Sequence, residues 1–178
     1  MAYKKLLRKR CKEKLNNLSS DEIYTKSKVI VDKIKSSLEF KNAKNVLIYK
    51  SFGNEVDLSE LEKEDKVFSY PVCLSENKMK AVVPLDGFYL NKYGILEPNG
   101  IETNDIDLVI CSMLGFDSNL YRIGYGKGYY DRFLEKVDCP VIGVAYENCK
   151  VEKVPKGCFD KKLDIIYSEE NIYWGYNE

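Results

Sequence analysis

Apolar residues recur every four positions at the start of the chain, at Tyr3, Leu7, Cys11 and Leu15, among seven lysines and arginines. That spacing predicts a basic amphipathic helix with one apolar stripe. Ser19 and Glu22 have capping-box spacing and predict the start of a second helix, with Ile23, Ile30, Ile34 and Leu38 on its buried face. The texture then changes to short β-rich runs at 46–49, 67–70, 81–83, 108–111, 141–145 and 165–167. The runs at 108–111 and 141–145 are nearly continuous apolar stretches, as strands covered on both faces require. Helical stretches near 57–64 and 130–137 lie between strands. The alternation predicts an α/β fold of three layers, a mainly parallel sheet with helices on both faces, in one domain over 1–178. Residues 74–105 are turn-rich and are expected to form a small hairpin and a loop over the site.

Composition narrows the function classes. Apolar residues make up 44% and charged residues 31% of 178 residues, enough for a packed core and against disorder. Lysine and arginine number 28 against 28 acids, so a strongly cationic nucleic-acid binder is disfavoured. Histidine is absent, which excludes Ser-His-Asp and Cys-His catalysis and every His-ligated metal. No two of the six cysteines have C-x-x-C spacing, so a zinc or iron–sulfur site is not expected, and they read as small buried hydrophobes. The opening MAYKKLLRKR carries no apolar signal segment, and no run approaches the length of a membrane span. A cytoplasmic protein is expected, with no nucleic acid, membrane or obligate protein partner.

The densest chemistry lies in Arg122-Ile123-Gly124-Tyr125-Gly126-Lys127-Gly128-Tyr129-Tyr130-Asp131. Three alternating glycines let backbone N–H groups approach an anion, and Arg122 and Lys127 add full charges. This suits a polyphosphate. Asp131 beside phosphates implies an intervening cation, with Mg²⁺ favoured by its taste for carboxylate and phosphate oxygens; capping the following helix is the other reading. The glycines alone also suit a tight surface turn, and the tyrosines ordinary packing. After the first strand, Phe52, Glu55 and Asp57 sit where open α/β sheets carry ligand loops. Glu55 and Asp57 are candidate acceptors for a polar heterocycle, although Asp57 equally suits a helix cap.

Taken together, Gly115-Phe116-Asp117 through Arg122–Asp131, with Lys4-x-x-Leu7-Arg8, Glu55-Val56-Asp57, Tyr93-Gly94-Ile95-Leu96-Glu97-Pro98 and Val154-Pro155 leading to Asp160, resemble the 5-formyltetrahydrofolate cyclo-ligase (methenyltetrahydrofolate synthetase) family. The resemblance implies ATP- and Mg²⁺-dependent closure of 5-formyltetrahydrofolate to 5,10-methenyltetrahydrofolate, releasing ADP and phosphate. It assigns ATP contacts to Lys4, Lys5, Leu6, Leu7 and Arg8 and to Arg122 through Tyr130, including Ile123. It assigns folate contacts to Phe52, Glu55, Asp57 and Tyr93 and to Tyr125 through Tyr129. Lys127 and Arg122 become the catalytic cations, and Asp131 and Asp160 the Mg²⁺ ligands. The chain departs from the family pattern at Ser112, Met113, Leu120 and Cys149, Leu120 standing where a glycine is usual before the loop arginine. An ATP-dependent phosphotransferase on another small molecule and a non-catalytic binder of nucleotide or single-stranded nucleic acid are the alternatives from the residues alone.

Overall fold

In a computed structural model that describes residues 2–175, helix α1 (Ala2–Asn16) buries Leu7, Cys11 and Leu15. Tyr3, the first member of the stripe, is left exposed. Helix α2 (Ser20–Ser36) starts at a complete capping box: Ser19 Oγ accepts from Glu22 N, and Glu22 Oε2 from Ser19 N at 2.9 Å. It buries Ile30 and Ile34, and Ile23 is half-buried. Leu38 does not join that face and is 71% exposed. The helix stops at Ser37, an extended residue that ends α2 and caps α3 (Leu38–Asn42) by accepting from Phe40 N. The restart turns Phe40 rather than Leu38 into the core.

The central sheet has eight strands in the order β10-β9-β8-β5-β1-β2-β3-β4. Strands β1 (Asn45–Leu47), β2 (Val67–Cys73), β5 (Leu108–Ser112), β8 (Val141–Val144) and β9 (Ile165–Tyr167) run parallel at its centre. Antiparallel strands flank them: β10 (Ile172–Trp174) on one side, β3 (Met79–Leu90) and β4 (Leu96–Thr103) on the other. The apolar run 108–111 is fully buried, as covering on both faces demands. One face packs on α1, α2 and α3 through Leu7, Ile30, Ile34 and Phe40. The other carries Leu134 of the short helix α4 (Tyr129–Leu134), together with loop residues such as Met113, Leu120 and Leu163.

Local departures from the expected elements have packing causes. The 57–64 segment is a 3₁₀ turn, Ser59–Lys63, rather than an α-helix, and buries Leu58 and Leu61. The turn-rich region is a long hairpin: β3 and β4 pair over most of their length with an irregularity between Pro84 and Phe88. Of the six cysteines, Cys11, Cys111 and Cys149 are buried, Cys73 and Cys139 are half-buried and Cys158 is exposed; none is bridged.

A tight turn between β6 (Gly115–Phe116) and β7 (Arg122–Ile123) aims the functional loop. Asp117, 1% exposed, accepts from Asn119 N at 3.0 Å, Tyr121 N at 3.1 Å and Val154 N at 2.8 Å. Leu120 closes the turn at φ +68°, the left-handed region that glycine adopts freely. Its side chain is buried, and that burial offsets the backbone strain. Replacing Asp117 with Ala strands these donors, so Asp117→Ala is expected to cost about 1–3 kcal/mol in urea unfolding.

Candidate active site

A cavity of about 530 Å³ opens beyond the carboxyl ends of β1, β2 and β5, which contribute Tyr49, Cys73 and Ser112. This is where parallel sheets place ligands, because strand ends and their loops converge there. Helix α1, the loop after β1, the 122–131 loop, the β3–β4 hairpin and Asp160 supply the remaining walls.

Cations dominate one end. Arg122 is 7% exposed, and its Nη2 donates to Asp131 Oδ1 at 2.7 Å. The other terminal nitrogen, Nη1, is buried with no hydrogen-bond partner among the described residues. Lys4 Nζ donates to Asp160 Oδ2 at 2.5 Å, and Gly157 N donates to the same oxygen at 2.8 Å. Burial pushes the Asp160 carboxyl up, but these two donors hold it below the usual aspartate value. Arg8 Nε donates to Gly124 O at 2.9 Å. Gly126 lies at φ +97°, and a β-carbon there would sit 3.0 Å from the Arg8 guanidinium carbon; the glycine thus lets the helix cation and the loop meet. Lys127 Nζ donates to Tyr93 Oη at 2.9 Å.

Aromatic rings and acceptors line the other end. Glu55 is 9% exposed, and its carboxylate accepts from Tyr125 Oη at 2.6 Å and Phe52 N at 2.8 Å. Burial raises its pKa, opposed by those hydrogen bonds. Burial also raises the Tyr125 hydroxyl, aided by the Glu55 charge. The Lys127 ammonium holds the exposed Tyr93 hydroxyl down at about 8. The rings of Phe52, Tyr93 and Tyr125 stand exposed at the rim.

The cavity gathers Lys4, Arg8, Phe52, Glu55, Tyr93, Arg122, Gly124–Tyr130, Asp131 and Asp160. Five expected residues lie elsewhere. Asp57 takes the capping reading: its Oδ1 accepts from Ser59 N at 2.9 Å at the 3₁₀ turn. Leu7 and Ile123 are buried in the core, and Lys5 and Leu6 point out to solvent. Asp131 does not cap α4: Gly128 occupies that position, and Asp131 sits in the first turn, where it pairs with Arg122. Besides Tyr49, Cys73 and Ser112, the wall includes charged residues outside the expected set, Lys12 and Glu97 among them. Lys12 lines the cavity, its ammonium 5.8 Å from the Tyr125 ring centre; its spacing of four from Arg8 is the available signal. Glu97 also lines the wall, 3% exposed.

Asp131 Oδ2 and Asp160 Oδ1 have no hydrogen-bond partner among the described residues, and oxygen donors of this kind suit Mg²⁺. Among the described residues no cluster of three or more acidic or sulfur ligands is present. Such a pair therefore fits an ion that takes its other ligands from phosphate and water. Nor, among the described residues, is any helix long and apolar enough to cross a membrane.

The chain is 31% identical to a 5-formyltetrahydrofolate cyclo-ligase of Mycoplasma pneumoniae, over 94% of this chain and 99% of that one. It is 25% identical to the Mus musculus 5-formyltetrahydrofolate cyclo-ligase, over 94% of each. The fold superposes on the 5,10-methenyltetrahydrofolate synthetase of Aquifex aeolicus with a TM-score of 0.85 and 33% identity, covering 96% of this chain and 92% of that one. The family model of the 5-formyltetrahydrofolate cyclo-ligases matches residues 1–169, and the chain belongs to that family.

Proposed function

We propose that this chain closes 5-formyltetrahydrofolate to 5,10-methenyltetrahydrofolate with ATP, releasing ADP and phosphate. The observation that carries the reading is the unpartnered Arg122 Nη1 on the cavity wall. A buried guanidinium donor left open costs free energy until an anion meets it, and Lys4, Arg8 and Lys127 gather round the same wall.

In this reading Lys4, Arg8 and Arg122 hold the nucleotide phosphates with the loop N–H groups. Phe52, Tyr93 and Tyr125 pack on the flat pterin, and Glu55 accepts from its N–H groups. The formyl oxygen attacks the γ-phosphorus and the bond to ADP breaks. The folate N10 then attacks the activated carbon, the phosphate leaves with the C–O electrons, and the N10 proton passes to solvent. No histidine is needed, because phosphoryl transfer relies on positioning and charge neutralisation. Asp131 and Asp160 would hold Mg²⁺, which when bound neutralises phosphate charge.

Mixing the protein with Mg-ATP and 5-formyltetrahydrofolate is expected to raise the near-ultraviolet absorbance of methenyltetrahydrofolate. No rise with folded protein would overturn the reading. Lys127 is the mobile charge able to follow the transferring phosphoryl group, so its interaction strengthens in the transition state. Lys127→Met is therefore expected to lower kcat by about 10²–10³-fold while ATP affinity, titrated directly, falls less than about tenfold. A defect confined to ATP affinity would remove Lys127 from the chemistry.

Glu55 supplies a test of site strain. Its raised pKa means that the folded protein binds this proton more tightly than the unfolded chain. The associated stability is present below the ordinary value of 4.5 and is lost as pH rises through that value towards the folded one. Glu55→Gln is expected to cut turnover yet to unfold at higher urea than the unaltered protein at neutral pH, the gap closing as pH falls below 4.5. A gap independent of pH would mean that the carboxylate is not strained.

A further inference from the structure

Glu97 on β4 is a buried carboxylate with no lysine or arginine partner among the described residues. Donors hold it from three directions. Its Oε1 accepts from Cys73 N at 2.7 Å and Asn91 Nδ2 at 2.9 Å, and its Oε2 accepts from Tyr89 Oη at 3.0 Å. Charge-assisted bonds of this kind are strong and directional.

The Asn91 bond leads onward. With its amide nitrogen fixed on Glu97, Asn91 presents Oδ1 to Tyr93 N at 2.8 Å and Ile95 N at 3.1 Å. These bonds shape the tight turn between β3 and β4, closed by Asn91 N to Ile95 O at 2.9 Å and by Gly94 at φ +74°. The turn carries Tyr93, whose hydroxyl takes the Lys127 ammonium at 2.9 Å and whose ring centre lies 4.1 Å from it. Lys127 needs such a holder: it is exposed, it sits between Gly126 and Gly128, and Tyr93 is the one hydrogen-bond partner of its ammonium among the described residues.

We infer that Glu97 is a positioning residue for Lys127, acting through Asn91 and the turn that carries Tyr93. The inference rests on the proposed cyclo-ligase chemistry for its kinetic consequence, but its structural part can be read without turnover.

Glutamine at 97 can keep the geometry. Its oxygen can accept from Cys73 N and Asn91 Nδ2, and its amide can donate to the Tyr89 oxygen. Glu97→Gln is therefore expected to stay near the native kcat, whereas Glu97→Ala falls. Asn91→Asp keeps the acceptor for Tyr93 N but loses the donor to Glu97 and sets two carboxylates against each other. It is expected to lower kcat by on the order of ten- to a hundredfold, with a smaller change in KM for ATP. Asn91 is only half-buried, so this variant carries the test if Glu97→Ala fails to fold. Asn91→Asp added to Tyr93→Phe should cost little more than Tyr93→Phe alone, because both break one chain of contacts.

The readout free of catalysis is tyrosinate absorbance during a pH titration. The native protein should show a tyrosine ionising at about 8, lost in Tyr93→Phe and moved up in Asn91→Asp as Lys127 departs. Lys92 and Tyr129 also face that hydroxyl, so both remain unaltered in every variant. A low-titrating tyrosine that persists in Asn91→Asp, or is absent from the native protein, overturns the inference. So do additive kinetic losses, or a Glu97→Gln enzyme as impaired as Glu97→Ala, which would mean that the charge itself acts on the substrate. A protein without cyclo-ligase turnover would refute the proposed function, and the tyrosine titration would still decide the positioning.

Discussion

The ion pair of the buried Arg122 with the half-buried Asp131 sets the terms for everything around it. An arginine side chain 5% exposed is tolerated only if its charge is met, and breaking such a pair strands a buried ion at a cost of about 3–5 kcal/mol. The pair therefore ties the strand that delivers Arg122 to the helix that delivers Asp131, across the glycine loop between them. Asp117 sets the entry to that loop from behind. The loop's freedom, supplied by its glycines, is bounded at both ends by carboxylates. The loop's middle is held by side chains from elsewhere, Arg8 at Gly124, Glu55 at Tyr125 and Tyr93 at Lys127.

The cavity has a polarity that follows from this frame. Its cationic end draws on α1 and the loop, and its acceptor end on Glu55 and the aromatic rim. In the proposed function an anionic phosphate and a flat donor-rich ring have opposite requirements; the cations meet the first and the acceptors the second, and Lys127 and Tyr93 join the two groups at 2.9 Å. The desolvated carboxylate of Glu55 destabilises the free protein, as functional sites commonly do.

Much of this was legible where one residue type and one spacing sufficed. The α1 stripe, the capping box at Ser19 and the buried parallel strands all follow from local periodicity. The glycine loop with Arg122, Lys127 and Asp131 announced an anion site because few other roles need those residues together. Roles fixed by distant contacts were not legible. Leu38 carries the period of α2, but Ser37 takes an extended conformation that no helical pattern reveals. Asp57 and Glu55 look alike in sequence, and only the packing sends one to a cap and the other to the cavity. Glu97 was quoted within a motif but not as a site residue, because its significance lies in Asn91, Tyr89 and the Cys73 backbone. Leu120 stands where the family resemblance leads one to expect glycine, and only the structure shows that it adopts glycine's backbone conformation.

The cationic end is also assembled across nearly the whole chain. Lys4 reaches Asp160, 156 positions away; Arg8 reaches Gly124; and Lys14 meets the carbonyl of Asn148 at 2.6 Å. During synthesis the helix bearing these cations emerges first and waits, its partners unmade, until residue 160 has left the ribosome. Contacts of such sequence separation form late, since their loop-closure entropy must be met before they reward it. In the proposed function this end holds the nucleotide, so ATP would not stabilise a truncated or still-tethered chain. There the nucleotide would select finished molecules, adding its binding energy only to chains whose two ends have already met.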